Sequence, residues 1–131
     1  MIPIFKSALL GGLLSGILNL LLALGVTAAG APLEGALAGP GTPIIGIPTA
    51  MFLVSSVIPA VGAALVYGGL RRLTEKADTT FVAISVIFGL LSMAGPAMLE
   101  GATLPTKAIL GLMHVVAGVG IVLGIFRTTH R

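Results

Sequence analysis

Long apolar runs alternate with short polar interruptions along this chain. No ionisable side chain occurs over residues 7–33, and Glu34 closes the run. A membrane-spanning helix needs about 20 predominantly apolar residues, so a first span is expected over about residues 5–29. Charge is again absent over residues 35–70, a run too long for one helix. It opens with GALAGPGTPIIGIP, which holds Pro40, Pro43 and Pro48. Proline lacks the N–H a helix needs and clashes with the preceding turn. Residues 32–48 therefore read as an irregular external segment, expected to cap the bundle because its IIGI stretch is apolar. The second span follows at about 49–70, with a kink expected at Pro59.

RRLTEKAD, residues 71–78, is the charge cluster of the chain and reads as a water-facing loop. A third span is expected over 79–99, with Pro96 near its end. GPAMLEGATLPTK makes a second Gly/Pro-rich connection before a fourth span at 108–126, and RTTHR is a wetted tail. A membrane β-barrel would need short segments of alternating polarity, and none is present. The expected fold is all-α: a polytopic integral membrane four-helix bundle forming a single domain over residues 1–131.

Composition sharpens this reading. Apolar residues make up 56% and charged residues 8% of the 131, against about 25% charged in an ordinary soluble domain. So few charges cannot clothe a soluble globule. A soluble enzyme, a nucleic-acid binder and a disordered tail are excluded on that ground. Cysteine is absent, which removes disulfides, thiolate metal sites and a Cys nucleophile. The lipid bilayer is the expected partner, with no role for nucleic acid.

The placement of charge predicts orientation. With four spans, both termini and the 71–78 loop share one side, which holds Lys6, Arg71, Arg72, Lys76, Arg127 and Arg131; the other side holds Lys107 beside Glu34 and Glu100. Basic residues concentrate on cytoplasmic loops. The expectation is a multi-pass protein of a bacterial cytoplasmic membrane with both termini inside. Phe5, Tyr67, Phe81 and Phe126 fall at the same ends, where an interfacial aromatic belt is expected. Lys6 followed by an apolar run and Ala29-Gly30-Ala31 resembles a signal peptide, but the run exceeds the usual 7–15 residues, which favours a retained helix.

Each span carries small residues at helical spacing, the usual contacts of helices in lipid. These are Gly12, Ser15, Gly16, Asn19 and Ala23 in the first; Ser56, Ala60, Ala64 and Gly68 in the second; Ser85, Gly89, Ser92 and Pro96 in the third. The fourth has Gly111, His114 and Gly118, with a separate Gly120–Gly124 pair. Packing within the bundle is the simpler use of these stripes, and a seam between copies the other.

His114 is the one ionisable side chain inside a span, which makes it a functional-site candidate by default. Asn19, Ser55, Ser56 and Ser92 lie at similar depth and can converge on it. Its neighbours Gly111 and Gly118 predict an inward-facing ring, bonded to a Ser, to Asn19 or to a carbonyl freed by a proline. Structural glue and a ligand or proton role both remain open for it. Met51, Met93, Met98 and Met113 lie toward the same side. Thioether and imidazole suit Cu(I), but no paired Met motif stands on one span, and Met is also an adaptable core filler. A bis-His haem would need a second intramembrane His, which His130 in the tail cannot supply. No catalytic residue, metal or cofactor is therefore assigned.

The run IGIPTAMFLVSSVIPAVGAALVYGGLRRL and the later LGLMHVVAGVGIV resemble small bacterial four-span membrane proteins of a family of unknown function. Those share the Pro-rich approach to the second span, the basic residues after it and the Met-His pair of the fourth. The resemblance implies the fold and no activity. Three functions are consistent with the sequence. One is a non-enzymatic protein binding an apolar ligand, lipid or quinone in an external-side pocket near His114. The second is a channel or transporter subunit acting as a homo-oligomer, and the third an accessory subunit of a larger membrane complex.

Overall fold

The computed structural model describes residues 2–129. Its helices are α1 (Ile2–Ala28), α2 (Thr49–Leu73), α3 (Ala77–Ser92), α4 (Ala94–Met98) and α5 (Leu104–Thr129). Two short strands, β1 (Glu34–Gly35) and β2 (Ile45–Gly46), pair antiparallel with Glu34 opposite Gly46. The fold is all-α. Counting α3 and α4 as one passage, it has four helices of 22 to 27 residues, each long and apolar enough to cross a membrane. Their outward surfaces are crowded with exposed Leu, Ile and Val, from Leu10, Leu14 and Leu18 on α1 to Val115, Val119 and Leu123 on α5. His130, Arg131 and Met1 lie outside the described residues.

The helices run a little further than the apolar runs that predict them. α2 carries Arg71 and Arg72 in its last turn, where cations complement the negative end of the helix dipole. The third passage breaks at Met93, between α3 and α4. Pro96 cannot donate to the Ser92 carbonyl, and its ring crowds that turn. The expected continuous span over 79–99 is therefore interrupted one turn before its proline.

α1 is the centre of the bundle. The doublets Gly11-Gly12 and Ser15-Gly16 recur after four residues, so they make two adjacent small-residue faces. Ser7, Gly11 and Ser15 face α5; Gly12 and Gly16 face α2. A Cβ added at Gly12 would lie 2.7 Å from the Ala60 Cβ, and one at Gly124 would lie 2.6 Å from the Ser7 carbonyl oxygen. The backbones touch because no side chain separates them, and in lipid such packing drives helix association. The Gly120–Gly124 pair is thus consumed inside the chain, against Gly11 and Ser15. The third stripe behaves differently. Among α3 residues only Ala77 and Phe81 are buried, and a Cβ at Gly89 would meet nothing within 4 Å. α3 is held at one end and leaves a gap beyond it.

That held end is aromatic. Tyr67, Phe81 and Phe126 meet with ring centroids 5.0–6.1 Å apart, tilted or edge-to-face, and Phe5 packs against the core cluster to which Tyr67 and Phe81 belong. The Tyr67 hydroxyl donates to Asp78 Oδ1 at 2.6 Å. The expectation of an interfacial belt is corrected here: Tyr67 and Phe81 are 1% and 2% exposed. A cluster pays better than a belt at this position because the three rings come from α2, α3 and α5 and lock their ends together.

At the opposite end, the connections interlock. Ala36 N–H donates to the Glu100 carbonyl (2.9 Å), Gly41 N–H to the Glu100 carboxylate (2.9 Å) and Ile47 N–H to the Leu33 carbonyl (2.8 Å). Lys107 Nζ donates to the Ala97 carbonyl at the end of α4 (3.1 Å). Leu33 and Ala36 are buried, whereas Ile44 and Ile45 are about half exposed. The segment is irregular as its prolines require. It docks through Leu33, Ala36 and Ile47, and the half-exposed Ile44 lies over Gly101 of the second connection.

Candidate functional site

A cavity of about 350 Å³ lies where α3 leaves its gap, with walls from α1, α2, α4 and α5 and from Leu37 and Ile47 of the interlocked connections. Its lining is apolar, from Met51, Phe52, Pro96, Leu99, Leu110 and Met113, with four polar residues set into it: Asn19, Ser55, Ser56 and His114. A large apolar lining with a few convergent polar groups is the usual character of a small-molecule site. Four of the five residues singled out from the sequence are brought together. Ser92 is not among them, because its hydroxyl turns back to the Gly89 carbonyl of its own helix at 2.7 Å.

Asn19 is the best-determined of the four. It sits on the α1 face that meets α2, 3% exposed. Its Nδ2 donates to the Met113 carbonyl of α5 at 3.0 Å and to Ser56 Oγ of α2 at 3.3 Å. Ser56 sends its own hydrogen to the Phe52 carbonyl at 3.0 Å, so its oxygen is free to accept. The Met113 carbonyl can only accept. A flipped amide would set oxygen against oxygen there, so the amide orientation is chemically fixed. Its consequence is that Asn19 Oδ1 is buried with no donor, alone in this among the buried side-chain nitrogens and oxygens of the described residues. An unpaired buried acceptor costs on the order of 1–3 kcal/mol.

His114 corrects the sequence reading. It is exposed at the cavity wall, and its Nδ1 is 2.7 Å from the Leu110 carbonyl of its own helix. Helical side chains lean back toward the preceding turn, which brings the ring to this carbonyl before any neighbouring span. No Ser, no Asn19 and no proline-freed carbonyl holds it. Leu110 O accepts only, so Nδ1–H is the donor, and in the neutral ring Nε2 is left bare as an acceptor. Ser55, also exposed, makes only a long 3.5 Å contact to the Phe52 carbonyl.

Of the four methionines expected near His114, Met51 and Met113 line the cavity, and Met93 and Met98 are not among its lining residues. Among the described residues no group of three or more His, Asp or Glu could hold a metal ion. Sequence reasoning missed the second α1 face, Ser7 and Gly11, although the doublet repeat in GGLLSG carries it. It also missed the apolar lining, Phe52, Leu110 and Pro96, which has no signal beyond ordinary span composition.

Fold and site together define a small four-span membrane protein with a polar-studded cavity between its helices. The chain belongs to a family of unknown function, DUF6069, which matches residues 3–131. No curated protein and no solved structure matches it.

Proposed function

We propose that this protein is a non-enzymatic membrane protein that holds an apolar ligand, a lipid or quinone-like molecule, in the cavity beside Asn19 and His114. The observation that carries this reading is a largely apolar cavity of about 350 Å³ between the helices into which Asn19, Ser55, Ser56 and His114 are set. Met51, Gly95 and His114 are exposed at the cavity walls, so a molecule dissolved in the bilayer has a lateral way in. The basic asymmetry supports a topology with both termini in the cytoplasm, and in that topology the cavity lies in the outer half of the membrane.

Native mass spectrometry with lipids retained tests this. The wild-type chain should carry an added mass. Ala117→Phe, which fills the cavity from a half-buried position on its wall, should lose it. Equal adduct patterns for the two proteins would overturn the reading.

A further inference from the structure

We infer that the crossing of α1 and α5 forms a second site, which seats one acyl chain of an anionic phospholipid and sets its phosphate between Lys6 and Arg127. A groove of about 850 Å³ runs along these two helices, and none of its lining residues belongs to the cavity beside Asn19. Its walls are two ridges stepped every four residues, Leu10, Leu14 and Leu18 on α1 and Val115, Val119 and Leu123 on α5, all exposed. Its floor is the close contact of Gly11 with Gly120 and Gly124. Each ridge continues by one more step into a cation. Arg127 follows Leu123 and lines the groove, and Lys6 precedes Leu10; both are exposed. Gly124 packs on Ser7 and Gly120 on Ser15, so the helices run antiparallel and the two cations arrive at the same end.

The length fits a lipid tail. From Val115 to Arg127 α5 rises about 18 Å, close to one leaflet's half of the about 30 Å hydrocarbon core. The charge fits an anionic head group. Neither α1 nor α5 carries an acidic residue, and Asp78 at this end is engaged by Tyr67. Each Lys or Arg near the membrane surface strengthens attraction to anionic lipid about fivefold. A second copy of the chain fits less well. Helices in lipid approach through small residues, and here the small residues already meet each other beneath exposed Leu and Val. A copy related by a two-fold axis along the membrane normal would also bring its own Lys6 and Arg127 to this end, setting like charges together.

Tryptophan is absent from the chain, so a single introduced indole reports its own surroundings. Val119→Trp, and separately Leu14→Trp on the facing wall, place it in the groove; Phe88→Trp places it at similar depth on the exposed face of α3. The full-length protein is reconstituted in mixed bilayers of phosphatidylcholine and phosphatidylglycerol, with one lipid or the other carrying brominated acyl chains, and quenching is read at each position. Brominated phosphatidylglycerol should bind the groove about tenfold more tightly than brominated phosphatidylcholine, less than two full fivefold factors because exposed charges are screened. Position 88 should show no preference. Lys6→Gln combined with Arg127→Gln should bring the preference in the groove to unity, whereas Ala117→Phe, on the wall of the other cavity, should leave it unchanged. Equal quenching by the two lipids in the groove, or a preference that survives removal of both cations, would overturn the inference. So would a preference lost with Ala117→Phe, which would assign the lipid to the cavity beside Asn19. Quenching at position 88 with none at either groove position would overturn it in favour of a second copy of the chain.

Discussion

Asn19 of α1 donates to the main-chain carbonyl of Met113 on α5 at 3.0 Å, and through that bond the residue before His114 is pinned to the central helix. The same amide reaches Ser56 on α2, so one side chain ties three helices together beside the cavity. The tie leaves Oδ1 without a donor. Side-chain hydrogen bonds between membrane helices average about 0.6 kcal/mol each, so the two made by Asn19 match only the low end of the cost, on the order of 1–3 kcal/mol, of an unpaired buried acceptor.

The first prediction follows from that balance. In delipidated protein Asn19→Leu should be no less stable than wild type, and up to about 1 kcal/mol more stable. Denaturation by SDS titration measures this. A loss of about 2 kcal/mol or more would mean that the bundle already satisfies Oδ1.

The second prediction concerns the crossing of α1 and α2. Gly12→Ala would press a methyl to 2.7 Å from the Ala60 Cβ and 2.9 Å from the Ser56 carbonyl oxygen. Overpacking of this kind costs about 1–3 kcal/mol. Gly118→Ala meets nothing within 4 Å and should be neutral or mildly stabilising through helix propensity. The same SDS titration compares them. Equal effects at the two glycines would show that the close crossing is not what holds the bundle.

The third prediction concerns the aromatic end. Tyr67→Phe keeps the ring contacts to Phe81 and Phe126 and removes the bond to Asp78. The loss should be about 1 kcal/mol, rising toward 3 if the carboxylate is left desolvated. It should fall locally, as faster amide exchange over residues 74–80. Exchange that rises evenly along all helices would assign Tyr67 a global rather than a local role.

Much of this architecture was readable before any coordinates. Charge-free runs bounded the four passages, and Pro40, Pro43 and Pro48 forbade a helix before α2, because both signals are local. The small residues of α1 and α2 were readable as contact faces for the same reason. The splay of α3 was not: Ser85, Gly89 and Ser92 look like a packing stripe, and only the aromatic pinning at Phe81 leaves that stripe without a partner. His114 failed in a related way. Its depth was right, but whether its ring reaches another helix or folds onto Leu110 depends on the width of the gap, which no local pattern encodes. Asn19 stood in the sequence as one of several polar residues near the depth of His114, and in the fold it is the one that bonds to two other helices.

The last prediction is topological, and the absence of cysteine makes it clean, since any introduced thiol is unique. Pro40→Cys places a thiol on the exposed connection between β1 and β2, and Glu75→Cys places one on the exposed turn between α2 and α3. These lie at opposite ends of the bundle, because α2 runs between them. Lys6, Arg71, Arg72, Lys76 and Arg127 all stand at the end that Glu75 marks, and Lys107 alone at the other. Retention of basic residues in the cytoplasm then sets the sign. In intact cells a membrane-impermeant maleimide should label Pro40→Cys at once and Glu75→Cys only after permeabilisation. The reverse pattern would invert the protein in the membrane and move the cavity, with Asn19 and His114, to the cytoplasmic half.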